Sequence, residues 1–231
     1  MCGRFALVAT AQQIAEEFGV SLAEGKIGPG GIELAPRYNI APSQPVLAVR
    51  ENAVGERELT HFAWGLVPSW APDPSWGARM INVRAETSAE KPAFRNALRR
   101  RRCIIPASGF YEWEKAKGVK QPWFFRGRDG RLLGLAGIWE VWNGPQGEYI
   151  ETCAILTVPA VVPVARVHDR MPAILSRDAY GPWLDRHLEK PEKIKEILEQ
   201  TEADVLECYR VSPIVNSPTH DVPECIAPLE G

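Results

Sequence analysis

The sequence predicts an α+β fold, mainly β: a single compact domain over residues 1–231, with short strands forming a barrel-like sheet core and helices flanking it. Three observations carry this reading. Apolar runs of strand length recur between Gly- and Pro-rich turns, amphipathic helical stretches are few and short, and no regular βαβ alternation runs along the chain. A chain of 231 residues suits one domain.

Taken in order, "TAQQIAEEFGV" has apolar residues at helical spacing and stops on Gly19, which predicts a first helix. "GKIGPGGIELAPRYNIAPSQ" is rich in Gly and Pro and reads as loop, with "VLAVR" the strand that follows. "ELTHFAWGLVPSWAPDPSWGARMINVRAET" reads as a strand, a Pro- and Trp-rich loop, and a second strand on which Asn82, Arg84 and Glu86 share one face. "SAEKPAFRNALRRRR" reads as one helix, with Ser88 as N-cap and Arg99–Arg102 at a mostly solvated end where cations suit the dipole. "RCIIPASGFYEWE", "QPWFFRG", "LLGLAGIWEVW" and "ETCAILTVPA" are apolar strands. "SRDAYGPWLD" and "EKIKEILEQ" are helical, and "LECYRVS" is a late strand.

Composition narrows the function. Apolar residues make up 45% and charged residues 24%, ordinary for a globular protein. No apolar run reaches the ~18 residues of a membrane span, and the acidic, amphipathic start does not match a signal peptide. A cytoplasmic protein with no membrane partner is expected, nucleoid-associated in a bacterium or nuclear in a eukaryote. The five cysteines are odd in number and form no C-x-x-C pair, which argues against both a zinc site and a disulfide framework. No metal or other cofactor is expected. Cys103, Cys153 and Cys225 stand in apolar surroundings that suit a core. A net charge of −2 gives no global attraction to nucleic acid, so a basic surface has to be local.

Four stretches place polar residues where apolar ones would be expected. "MCGRF" sets Cys2 directly behind Met1; trimming of Met1 would leave an α-amine and a thiol on one residue. "MINVRAET" carries Asn82 and Arg84. "IIPASGFYEWE" surrounds Glu112 with Phe110, Tyr111 and Trp113, and alternation puts Phe110, Glu112 and Glu114 on one face. Apolar surroundings raise a carboxyl pKa and suit it to proton transfer near neutral pH. "VARVHDRMPAIL" supplies His168, Asp169 and Arg170. Singly, each has a bland structural reading. Together they supply a nucleophile pair, an amide, an acid and an imidazole.

These blocks, with "RYNIAPSQ", "WGLVPSWA", "AGIWE", "TCAILTVPA" and "VNSP…ECI", resemble in order the blocks of the SRAP (SOS response-associated peptidase) family, from Cys2 to about Cys225. The resemblance implies a protein that shields abasic sites in single-stranded DNA by crosslinking to them, acting as a monomer. It places the nucleophile at Cys2, the active-site asparagine at Asn82, the catalytic glutamate at Glu112 and the histidine at His168. It places DNA contacts at Arg4, Arg84, Arg170 and the stacking Trp70. The implied chemistry is lyase-like: a Schiff base on the Cys2 amine closes through the thiol to a thiazolidine, after Met1 has been removed by the protein's own peptidase activity. Two other readings stay open on the residues alone. One is an N-terminal-nucleophile amidotransferase working through Cys2; the other is a non-covalent reader of modified DNA.

Overall fold

The computed structural model describes residues 2–22, 34–116, 119–202 and 204–229. Its strands are β1 (Phe5–Leu7), β2 (Arg37–Ile40), β3 (Pro45–Glu51), β4 (Arg57–Trp64), β5 (Asn82–Arg84), β6 (Arg102–Ala107), β7 (Gly109–Ala116), β8 (Val119–Gly127), β9 (Leu133–Asn143), β10 (Tyr149–Pro159), β11 (Arg170–Pro172), β12 (Ile174–Leu175) and β13 (Leu206–Arg210). Its α-helices are α1 (Ala11–Phe18), α2 (Ala85–Ser88), α3 (Arg95–Arg100), α4 (Tyr180–Leu184) and α5 (Pro191–Glu199).

Five strands close into the barrel that the sequence predicts. β4 pairs with β3, β3 with β6, β6 with β9 and β9 with β10; β10 then returns to β4 in parallel, at Thr152–Ala63 and Cys153–Trp64. Closure explains why "RCIIP" and "LLGLAGI" are continuous apolar runs: one face fills the barrel and the other is covered by neighbouring elements. Beyond Trp64 the chain leaves the barrel and comes back as β5, which takes up the same edge of β10 at Ile155–Asn82. The neck of this excursion is tight. A Cβ on Gly77 would stand 2.5 Å from the Gly65 carbonyl oxygen, so two backbones touch there and only glycine fits.

A second, antiparallel sheet runs β13–β8–β7–β1–β2. Phe110 and Phe125 stack at 5.3 Å on its inner face and join the barrel core, as the alternation in "GFYEWE" requires. Tyr111 and Phe124 face outward and are covered by Val211, Val215 and Cys225 of the C-terminal segment. Asn39 of β2 fastens that segment. Its side chain is fully buried, and Nδ2 donates to the carbonyls of Val215, Ser217 and His220 at 3.2, 3.0 and 2.6 Å.

Several sequence expectations need correction. "RYNI" is strand β2, its Gly/Pro-rich flank notwithstanding; the loop expected over 25–33 lies outside the described residues. The single helix expected from Ser88 is two, α2 and α3, because Pro92 lacks a backbone donor and disfavours helix before it; Ser88 ends α2 and does not cap it. Glu86 therefore sits in the first turn of α2 and not on a strand face. "RCIIPASGFYEWE" divides at Ser108 into β6 and β7. Arg102 is buried rather than solvated: it donates to the carbonyls of Trp183, Leu98, Arg99 and Asp185, and burial pulls its pKa down to about 10. Cys103, Cys153 and Cys225 are buried free thiols, as expected.

Asn39→Ala is expected to lower the unfolding free energy by about 2–3 kcal/mol, because three carbonyls lose one donor group together. Urea denaturation measures this, and an unchanged midpoint would show that water replaces the amide without penalty.

Candidate functional site

Cys2 precedes β1 and is fully buried. Its carbonyl accepts a 2.7 Å hydrogen bond from Asn82 Nδ2, while its Sγ lies 3.8 Å from the Arg4 carbonyl. The Arg4 carbonyl also accepts the Tyr111 N–H of β7 at 3.0 Å. The start of the chain is thus pinned between β5 of the barrel and β7 of the second sheet. Met1, whose removal the sequence reading requires, lies outside the described residues.

Glu112 stands on the inner face of β7, opposite Trp123 of β8, and is 2% exposed. Burial pushes its carboxyl up to about 7, with Asp169 adding a like-charge contribution. Burial and then the Glu112 charge push the Cys2 thiol up as well. Glu112 therefore lies close enough for its charge to resist ionisation of the thiol.

His168 follows the short turn Val164–Arg166, its N–H donating to the Val164 carbonyl at 3.0 Å. Its Nδ1 lies 2.9 Å from the Arg170 N–H and 2.9 Å from Asp169 Oδ1. One nitrogen cannot serve both: it accepts from the amide when unprotonated and donates to the carboxylate when protonated. The amide is fixed, whereas Asp169 is 87% exposed and its pair is weakened by water. The neutral ring then carries its hydrogen on Nε2.

The four residues expected at DNA differ in availability. Arg84 is exposed at the end of β5. Trp70 is 55% exposed on the excursion between β4 and β5, edge-on to Trp76 at 5.2 Å. Arg4 is half-buried: its Nη1 donates to Asn39 Oδ1 at 2.6 Å and to the Val215 carbonyl at 2.8 Å, and burial pulls its pKa down. Arg170 binds both carboxylate oxygens of Glu86 at 2.5 and 2.9 Å and the Thr157 carbonyl at 2.5 Å. Sequence reasoning did not anticipate the parts of Asn39 and Glu86 in this region. Asn39 lies within a tract read as loop, and nothing local marks Glu86 as the partner of an arginine 84 residues away.

Asn82 Oδ1 is buried and has no hydrogen-bond partner among the described residues, an open acceptor beside Cys2. Among those residues no group of three or more His, Cys, Asp or Glu is arranged to hold a metal ion, nor is any helix long and apolar enough to cross a membrane. The arrangement offers a buried thiol, a carboxyl that exchanges its proton near neutral pH, an imidazole and a hydrogen-bond acceptor.

A family model described as SOS response associated peptidase (SRAP) matches residues 1–218. The abasic site processing protein YoqW of Bacillus subtilis is 40% identical over 229 residues, covering 98% of this chain and 99% of its own. The abasic site processing protein HMCES of Gallus gallus is 37% identical over 226 residues, covering 84% of this chain and 67% of its own. A crystal structure of a Bordetella bronchiseptica protein superposes with a TM-score of 0.76 at 27% identity, covering 91% of this chain and all of that one. A Bacteroides thetaiotaomicron structure superposes over 99% of this chain and 100% of its own, with a TM-score of 0.81 at 24% identity, and so shares the fold.

A carboxyl whose pKa is about 7 when folded, against an ordinary 4.5, holds its proton more tightly in the folded state. Its contribution to stability is full below about 4.5 and is lost as pH rises through about 7. Relative to Glu112→Gln, which does not titrate, the wild type is expected to lose up to about 3 kcal/mol between pH 4.5 and 8. Denaturant titrations of both proteins across that range measure the difference, and a flat difference would place Glu112 in contact with water.

Proposed function

The chain belongs to the SOS response associated peptidase (SRAP) family, and on that premise we propose that it senses and shields abasic sites in DNA during the DNA damage response, through a covalent bond made by Cys2. The observation that carries this reading is the buried junction at which Cys2, Asn82 and Glu112 meet. A structural cysteine needs neither an open amide acceptor nor a carboxyl titrating near 7 beside it.

Hydrolysis of the Met1–Cys2 peptide frees the Cys2 α-amine; this is the extent of the peptidase activity in this reading. The ring-opened abasic sugar presents an aldehyde. The amine nitrogen attacks its carbon, the carbinolamine loses water, and an imine results. Cys2 sulfur then bonds to the imine carbon while the thiol proton passes to nitrogen, closing a thiazolidine, with one water released overall. Sulfur and nitrogen belong to the same residue, so closure has a high effective concentration. Asn82 Oδ1 orients the amine. Glu112 takes and returns protons at nitrogen and at the departing hydroxyl, for which a pKa of about 7 is well matched. His168, with hydrogen on Nε2, donates to the ring oxygen as the sugar opens. Arg84 binds a phosphate and Trp70 stacks on a base, an arrangement that suits a single strand and requires only one copy of the chain. Arg4 and Arg170, whose hydrogen bonds are largely committed within the protein, hold the surrounding segments rather than the strand.

Intact-mass spectrometry after incubation with an abasic oligonucleotide is expected to show protein lacking Met1 joined to DNA with loss of one water. Cys2→Ala should give no stable adduct, and Glu112→Gln should slow its formation roughly 10²–10⁴-fold while Glu114→Gln does not. Wild-type yield from Cys2→Ala would move the nucleophile elsewhere.

Arg84→Glu and Trp70→Ala should each weaken non-covalent binding of single-stranded DNA, and only Arg84→Glu should flatten the dependence on salt. Fluorescence anisotropy over a salt series measures both, and an unchanged slope for Arg84→Glu would remove the phosphate contact.

A further inference from the structure

β10 separates β5 from β11: Thr157 pairs with Arg84 on one side and Pro172 on the other. Across that strand runs a bridge. Glu86, in the first turn of α2, meets Arg170, the first residue of β11, through two parallel hydrogen bonds of 2.5 and 2.9 Å. Nη2 of Arg170 also reaches down to the Thr157 carbonyl at 2.5 Å. A planar guanidinium held at both carboxylate oxygens and at a strand carbonyl has little freedom left. The Arg170 side chain is 11% exposed and that of Glu86 45%, so the arginine anchors the pair and the carboxylate closes over it from the solvent side.

The backbone N–H of that same Arg170 is the one that lies 2.9 Å from His168 Nδ1. Glu86 is four residues beyond Asn82 on the passage from β5 into α2. One ion pair therefore ties the segment carrying Asn82 to the segment carrying His168, and adds to the β10–β11 pairing at Pro159–Arg170 that holds the amide facing the imidazole.

We propose that Glu86 is a positioning residue: acting through Arg170, it holds His168 in the Nε2–H tautomer and at a set place relative to Asn82. The consequence for catalysis rests on the reading of His168 as the proton donor. Arg170 serves His168 first and DNA second.

Nitrogen-15 NMR of the imidazole rings tests the structural half without any reaction, with His168 identified by the signal that His168→Ala removes. The wild type is expected to show the Nε2–H pattern and Glu86→Ala a mixture of tautomers, with Glu86→Gln, which keeps one acceptor for Arg170, between them. Crosslinking by Glu86→Ala should be roughly tenfold slower or more, as for other displaced proton donors. In a His168→Ala background the same change should cost nothing further. A wild-type tautomer pattern in Glu86→Ala, or a full additional loss in the double variant, overturns the proposal. If the wild type forms no adduct with abasic DNA, the crosslinking reading falls, and the tautomer measurement alone decides the role of Glu86.

Discussion

The hydrogen bond from Asn82 Nδ2 to the Cys2 carbonyl ties the start of the second sheet to the barrel, at a point away from the direct passage of β6 into β7. Asn82 belongs to the barrel through its register with Ile155, and Cys2 belongs to the second sheet through β1. β1 is three residues long, paired with β7 at Phe5–Phe110 and with β2 at Phe5–Ile40. So short a strand does not by itself fix the residue three places before it. The Asn82 bond and the Tyr111–Arg4 bond do that, one from each sheet. Because Cys2 is buried, its peptide groups need such partners, and the same partners set where its reactive atoms lie.

The electrostatics follow from that burial. Cys2 and Glu112 are both removed from water, and the Glu112 charge raises the cost of charging the thiol. Such a site holds at most one negative charge readily. With Glu112 raised to about 7 and the thiol pushed up by burial, the carboxyl is the group that ionises first. In the proposed reaction a neutral thiol adding to an imine releases its proton as the carbon–sulfur bond forms, and the adjacent carboxylate would receive it. The nitrogen needs a proton at the same moment. A group with a pKa of about 7 can do both in turn.

How much of this was legible in the sequence depended on range. The inward face of β7 was readable, because period-two alternation in "GFYEWE" places Phe110 and Glu112 together and the structure buries both. α1 with its Gly19 cap was readable for the same local reason. The strand in "RYNI" was not, because its pairing with β1 is decided by tertiary contacts that override Gly- and Pro-rich surroundings. Nor was the fate of Arg102: four arginines in a row look solvated, yet the last falls on an all-buried strand and has its donors satisfied by carbonyls rather than by a carboxylate. The Glu86–Arg170 pair and the buried Asn39 were invisible because each joins segments far apart in the chain. Pattern locates an element; which polar groups meet across elements is a property of the fold.

The commitment of Arg4 and Arg170 to internal bonds bears on how such a protein would hold DNA. A protein with a net charge of −2 that uses two of its site arginines as fasteners has less positive charge at that site with which to grip a phosphate backbone. Non-covalent affinity built on Arg84 and a single stacked Trp70 would be modest and readily weakened by salt. Modest affinity suits a sensor that must test many intact sites and leave them. At a lesion the proposed thiazolidine supplies the persistence that electrostatics does not, so the same surface can release undamaged strand and retain damaged strand. In that division Arg4 and Arg170 would do more by holding the proposed reacting groups in register than by binding the strand themselves.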